Sequence, residues 1–285
     1  MNIDFRFKNA HAGLKVVIVL TLIFMSLYVL LILYPLFNMC ISAFKTTRQI
    51  LQKPFGLPES FGFQNFKTLW IDKHFSRFFL NSLLVTTSAM IFVLLFGSMA
   101  SFGISRYRFK GNTLLYMLFL SGIMLPLKAA VIPLFLIVKS MNLVDKPLSV
   151  IFIFIAMGIP STVFILSGFM KSIPLDLEHA ARIDGCSDFR IYWQIFIPLC
   201  SSAIALVTIY NAVPIWNDFF FPLVFLTSES KKTLPVGLSS FFGQNSTNWG
   251  LLFTGLTLAI VPMIVMYLFM SKYFIKGMTA GAIKG

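Results

Sequence analysis

Acidic side chains are scarce in this chain. Ten Asp and Glu stand against 23 Lys and Arg in 285 residues, and charged residues of every kind make up only 12%. With 58% hydrophobic residues, that lack of charge excludes an ordinary soluble globular domain. Cysteine and histidine are equally sparse, at three each. Cys40, Cys186 and Cys200 are scattered and imply neither a disulfide framework nor a metal set. His11, His74 and His179 fall in three separate segments and form no ligand group. The phosphate-cradling pattern GxxxxGK[ST] is missing, so the chain is not itself an ATPase. A Ser/His/Asp set, zinc-spaced histidines and paired intramembrane carboxylates are missing too, which excludes the usual hydrolytic centres. The net charge of +13 comes without a basic stripe of interleaved aromatics. It reflects membrane topology and contact with anionic lipid, not a nucleic-acid surface.

The chain does have long uncharged runs. Val16 to Phe44, Phe78 to Ser105, Pro147 to Met170 and Ile191 to Asn217 contain no Asp, Glu, Lys or Arg, and Gly111 to Val138 contains only Lys128. A hydrocarbon core of about 30 Å needs about 20 helical residues. Thr233 to Ser271 is also free of those charges, though its first part is polar loop and only the region from about Leu251 should span. The runs thus predict six spans, near residues 16–39, 79–104, 113–138, 147–170, 199–226 and 251–272. The first is too long for a cleavable signal and lacks a small-x-small site after it, so it is expected to stay as a span. Basic residues divide too evenly between the two sides to settle orientation by counting. The cluster Arg106, Arg108 and Lys110 in a very short loop is the better guide, because short loops dominate the positive-inside rule. It predicts that both termini are cytoplasmic.

One polar stretch interrupts the apolar chain, EHAARIDGCSDFRIYWQIFIPL from Glu178 to Leu199. Pro174 and the acids Asp176 and Glu178 suit the first turn of a helix, where free N–H groups favour negative charge. Gly185 suits its end, since glycine accepts a left-handed cap. Ser187 or Asp188 can then cap a second helix. Ala180 and Ala181 would give the first helix a flat face that another protein can approach closely. Taken alone, the stretch also fits a plain amphipathic helix at the membrane surface.

Its spacing carries more. Gly185 follows Ala181 by four residues, and Ile195 and Pro198 follow at the distances seen in the EAA loop of binding-protein-dependent ABC importers. SRYRFKG (Ser105 to Gly111), LPVGL (Leu234 to Leu238) and the ending YFIKGMTAGAIKG (Tyr273 to Gly285) also resemble that group, in the same order. The chain is most similar to carbohydrate-importer permeases of the maltose type, and among them to the smaller, G-type subunit. The resemblance implies an all-α integral membrane protein with the six-helix type I importer fold, carrying a cytoplasmic coupling helix. It implies two nucleotide-binding ATPase subunits holding ATP and magnesium, a second permease subunit, and an extracytoplasmic solute-binding protein. This chain itself would hold no cofactor and no metal. Glu178, His179, Ala180, Ala181, Asp184 and Gly185 would couple to the ATPase. The family's glutamate before the paired alanines is His179 here, and Glu178 lies a helical step of about 100° away, so either His179 makes a different polar contact or the docking relies on the small residues.

The glycine-rich tail cannot bury enough apolar surface to fold alone. By resemblance it would thread between the ATPase subunits as an extended backbone, making contact through Lys276, Gly277, Thr279, Gly281 and Lys284. Lys128 lies between Pro126 and Pro133 in the third span. It would either face a translocation cavity or snorkel to the outer interface, since a lysine at the bilayer centre costs roughly 2.5–3.5 kcal/mol. Asp218, near Pro214 and Pro222, would line the path or fix a loop. Tyr210, Asn211 and Trp216 would line the path, because they add hydrogen-bonding capacity to the fifth span near its outer half. The expected function is passage of a sugar, with an oligosaccharide favoured, through a cell-membrane importer. A glycerol-phosphate importer is the alternative within transport. A secondary transporter using Lys128 and Asp218 is the rival from another class, weakened by the lack of clear inverted repeats.

Overall fold

The computed structural model describes residues 12–242 and 247–282, with side chains described to residue 273. The described chain is helical and groups into two compact units.

The first unit holds the chain up to Asp72 and the start of the last helix, to Leu258. Its long helix α1 (Ala12–Ser42) is apolar on every side, and its surface is exposed within this chain, as suits a helix whose surroundings are lipid or protein. The chain then turns into α2 (Thr47–Gln52), opened by a capping box in which Thr46 and Gln49 satisfy each other's backbone N–H. Lys45 is buried, and its ammonium donates to the carbonyls of Lys53 and Pro54 at 3.3 and 3.2 Å. Asn65, in α3 (Gln64–Lys67), donates to the carbonyls of Ala43 and Lys45, both at 2.9 Å. Lys45 and Asn65 thus tie the end of α1 into a folded knot.

The second unit runs from Lys73 to Phe242 and resumes at Ala259. Its centre is the crossing of α4 (Phe75–Arg106) with a second long helix of residues 147–171. Small residues let the backbones meet, as is usual where no water drives helices together. A Cβ on Gly97 would stand 2.4 Å from Thr162, and one on Gly158 would stand 2.7 Å from Val93.

The third expected span is not one helix. It is α5 (Asn112–Met124) and α6 (Val131–Ser140), separated by a turn. Pro126 forces Leu125 into an extended conformation, φ −75° and ψ 122°. Pro133 is accepted because it lies in the first turn of α6, where its missing N–H has no helical partner to lose. α7 (Pro147–Lys171) follows, then α8 (Leu175–Ile183) and α9 (Asp188–Ile191). A π-helical turn over Tyr192–Phe196 and the short α10 (Ile197–Leu199) lead to α11 (Ser201–Asn217). The stretches before and after Cys200 bend by 76°.

The fifth expected span also breaks. α12 (Phe220–Phe225) is separate because the ring of Pro222 would clash with the carbonyl of Asp218 in a continuous helix. α13 (Leu234–Ser239) and α14 (Trp249–Ala282) complete the chain. Among the described residues, four helices are long and apolar enough to cross a membrane, or five if the bent pair counts as one. The third and fifth of the six expected spans are thus each assembled from shorter helices.

At the N-terminal end of α7 a carboxylate fixes the loops. Asp145, in a left-handed conformation (φ 57°), accepts from the Lys231 ammonium at 2.7 Å and from the Ser228 backbone N–H at 2.9 Å. It also accepts from the Ser228 hydroxyl at 2.5 Å. These donors, Lys231 foremost, hold its carboxyl well below the usual carboxylate range. A lowered folded pKa stabilises above the unfolded value of about 3.9 and is lost as the pH falls below it. The melting temperature should therefore fall by a few degrees more between pH 5 and pH 3 in the parent than in Asp145→Asn. Equal slopes in a thermal-shift series would show that the tie is not formed.

Candidate functional site

Two regions gather the residues singled out in the sequence, one at each broken or polar part of the second unit. The first is α8. Pro174 stands at its N-cap, with Asp176 and Glu178 in its first turn. Its end is a Schellman motif: the Cys186 N–H donates to the Ala181 carbonyl at 2.9 Å and the Gly185 N–H to the Arg182 carbonyl at 3.1 Å. Gly185 supplies the left-handed residue, with φ +75°. Ser187, not Asp188, caps α9, its hydroxyl accepting from the Arg190 N–H at 3.4 Å.

The faces of α8 divide sharply. Asp176, His179, Ala180 and Ile183 point outward, and Asp184 and Gly185 at its end are exposed as well. Ala181 points inward, packed with Phe102, Met170, Ile191, Tyr192, Phe196 and Cys200. The flat outer face expected of both alanines is therefore Ala180 alone, flanked by His179. Glu178 is also inward, only 6% exposed, and accepts from Arg182 at 2.9 Å. Arg106 Nε lies 3.9 Å from its other oxygen. Arg182 reaches Asp188 as well, at 2.8 Å.

Arg106 was read in the sequence as a topological charge and as part of the SRYRFKG stretch, and Arg182 was not singled out. The spacing of Glu178 and Arg182 at i,i+4 was a legible signal for their pair. Nothing in the sequence paired Arg106 with Glu178. Behind it, Ser98 and Tyr192 share a hydrogen bond at 2.7 Å, which joins α4 to the π-helical turn. Burial and the Asp188 carboxylate raise the Tyr107 phenol to about 12, so it remains a donor at neutral pH.

The second region is a cavity of about 550 Å³ between the break in the α5–α6 stretch, α7 and α11. Lys128, Tyr210, Asn211 and Asp218 all border it. Lys128 sits in the turn that Pro126 opens, its ammonium 3.7 Å from Asp218 Oδ2. The other oxygen of Asp218 accepts from the Phe221 N–H at 2.9 Å and so starts α12. One side chain thus borders the cavity and fixes the start of α12. Asn211 is buried and its amide is engaged. Its Nδ2 donates to Val207 at 3.0 Å and its Oδ1 accepts from the Ser161 hydroxyl at 3.0 Å. It holds α11 to α7 and presents little free polarity. Trp216 does not border the cavity. It is 2% exposed, donates to the Ala259 carbonyl at 3.1 Å and packs edge-on against Phe79, so its role is in packing.

The backbone from Lys276 through Gly277, Thr279 and Gly281 to Ala282 continues α14, so this part is helical and not an extended strand. Their side chains, and Lys284 entirely, lie outside the described residues. Among the described residues no group of His, Cys, Asp and Glu could hold a metal ion.

The sequence profile of the family described as binding-protein-dependent transport system inner membrane component matches residues 93–280, which include both regions. The probable ABC transporter permease protein YurM of Bacillus subtilis (strain 168) is 35% identical over 263 residues, 92% of this chain and 87% of YurM. The arabinooligosaccharides transport system permease protein AraQ of the same strain is 35% identical over 272 residues, 94% of this chain and 96% of AraQ. A chain from the crystal structure of a bacterial ABC transporter involved in the import of the acidic polysaccharide alginate superposes with a TM-score of 0.80. It is 23% identical and covers 93% of this chain and 99% of that one. That likeness shows the fold. The match over residues 93–280 and the two relatives show more: this chain is a multi-pass membrane permease and belongs to the family of binding-protein-dependent transport system inner membrane components.

Proposed function

We propose that this chain forms one half of the pathway by which an ABC importer admits an uncharged oligosaccharide, with ATP hydrolysed in two separate cytoplasmic subunits. The observation that carries the reading is α8, a short helix whose inner face is locked to the bundle while Asp176, His179, Ala180 and Ile183 stand clear. ATP and magnesium belong to the partner subunits. Their closure pushes α8, the bundle follows, and the cavity beside Lys128 changes sides. Both termini lie in the cytoplasm, the solute arrives from a binding protein outside, and a second permease chain closes the pathway.

The sugar assignment is supported by relatives such as AraQ, named for arabinooligosaccharides, and MelC of Bacillus subtilis (strain 168), named as a melibiose/raffinose/stachyose import permease. The cavity fits an uncharged solute better than a phosphate ester. Among the described residues that line it, Lys128 is the cation, and Asp218 already balances it.

The complex, purified with its ATPase subunits and loaded binding protein, should hydrolyse ATP faster with one class of neutral oligosaccharide from a panel of arabino-, malto- and galacto-oligosaccharides. Stimulation by glycerol phosphate alone would sink the sugar reading. In the same complex, freed of Cys40, Cys186 and Cys200, Lys128→Cys should react with a small hydrophilic thiol reagent at a rate that changes severalfold when ATP closes the ATPase subunits. An unreactive Cys in every state would place position 128 outside the pathway.

A further inference from the structure

We propose that Arg106 is the positioning residue that makes α8 move with the bundle as one body; this rests on the reading that α8 meets the ATPase subunits. The side chain of Arg106 is 3% exposed, and it touches α7, the connector to α8, the π-helical turn and α8 itself. It stands at the last residue of α4. Its Nη2 donates to the carbonyl of Met170 at 2.5 Å and to that of Ile173 at 2.8 Å, the end of α7 and the connector to α8. Its guanidinium carbon lies 4.4 Å from the centre of the Phe196 ring in the π-helical turn. Its Nε faces Glu178 Oε2 on α8 itself, at 3.9 Å.

The other partner of Glu178 cannot make this link. Arg182 belongs to α8, so its bond to Glu178 runs along the helix, and its other partner, Asp188 at 2.8 Å, starts the short α9 and no membrane-crossing helix. Arg106 is the charge that reaches α8 from a membrane-crossing helix. Arg106 Nε and Glu178 Oε2 are both buried, and neither has a hydrogen-bond partner. Each is therefore held by the opposite charge it faces, and a buried charge that loses its partner is strongly destabilised. The geometry also requires arginine specifically. One planar group donates to two carbonyls, lies over a ring and keeps its charge within 3.9 Å of a carboxylate, which a single ammonium cannot do together.

A merely stabilising arginine would affect assembly, whereas a linking arginine affects what α8 does when the ATPase subunits close. The test uses the assembled complex with hydrolysis-deficient ATPase subunits, freed of Cys40, Cys186 and Cys200. Spin labels go at Leu177 on α8 and Leu84 on α4, both exposed, and a second label pair across the ATPase subunits registers closure on adding magnesium and ATP. With Arg106 in place, the 177–84 distance should be the same before and after closure. In Arg106→Ala it should shift by several ångströms on closure, and in Arg106→Lys by less. An unchanged distance in Arg106→Ala overturns the proposal, as does a parent protein whose own distance shifts. If Arg106→Ala does not assemble, Arg106→Lys and Glu178→Gln decide it: a shift on closure in either supports the link, and none in both overturns it. A label at Ile183 separates the underlying reading. If it stays as mobile with the ATPase subunits as without them, α8 does not meet them, whatever Arg106 does.

Discussion

Replacing Gly97 with leucine is expected to remove nearly all folded protein from the membrane. The position lies where α4 and α7 press backbone to backbone, and even the first carbon of a side chain would stand 2.4 Å from Cγ2 and 2.8 Å from Cβ of Thr162. Real carbon atoms do not approach so closely, and Thr162 cannot swing away. It is fully buried and its hydroxyl donates to the Gly158 carbonyl at 2.7 Å. Overpacking a well-filled core by a methyl or two costs about 1–3 kcal/mol, and a whole leucine at a backbone crossing costs more. Gly97→Ala alone should lower membrane levels several-fold. Gly97→Ala with Thr162→Gly should recover part of the loss, since the exchange moves volume across the contact without adding much. Immunoblotting of membrane fractions and thermal unfolding of the purified chain would read this. Wild-type levels of Gly97→Leu would mean that α4 and α7 are not packed as described.

Gly185→Trp should have the opposite character, with the chain intact and transport reduced at least about tenfold, the equivalent of about 1.4 kcal/mol of coupling. Nothing lies within 4 Å of the position a Cβ would take, so no clash follows inside the chain. The left-handed backbone costs a non-glycine residue roughly 1–2 kcal/mol, which the membrane bundle should survive. The indole would stand on the surface through which α8 is proposed to meet its ATPase. Gly185→Asn separates the two effects, because asparagine accepts the left-handed cap and is small, and it should transport nearly as the parent does. His179→Glu should be tolerated, since it places the family's usual acid on the exposed face. Full uptake with Gly185→Trp would remove this surface from the coupling path.

The ends of helices were more legible than their faces. Pro174, Gly185 and Ser187 act through their own backbone and nearest neighbours, so their chemistry is visible in the sequence and is found in the structure. Pro126 and Pro222 were visible as breakers, but counting apolar residues joined the pieces on either side of them into single spans. Which way α8 turns its residues was not legible. Leu175 and Leu177 are exposed while Glu178 is buried, the reverse of hydrophobic ordering. The reason is Arg106, whose charge comes from a helix remote in sequence, and one sequence does not announce such a partner. Trp216 was misplaced for the same reason. Its indole N–H finds the Ala259 carbonyl 43 residues away, so hydrogen-bonding capacity that suggested a sugar is spent on packing. Lys128, Tyr210 and Asp218 meet at one cavity because two proline-induced breaks face each other, and the prolines were readable while their facing was not.

Arg106 also has a history within each synthesised chain. It leaves the ribosome 67 residues ahead of Ile173, whose carbonyl it will hold. At about 5–20 residues per second, that is an interval of roughly 3 to 13 s with no protein partner to satisfy it. During that time Arg106, Arg108 and Lys110 all stand among water and lipid headgroups, and all three add to the charge that directs the insertion of α4. Only afterwards does α8 close over Arg106, while Arg108 and Lys110 stay exposed. The same guanidinium thus serves first as a signpost for the translocation machinery and later as the seat of a moving helix. Neutral substitutions at this position are therefore expected to yield some chains threaded the wrong way round, a defect of biogenesis that protease protection of the termini would reveal before any transport is measured.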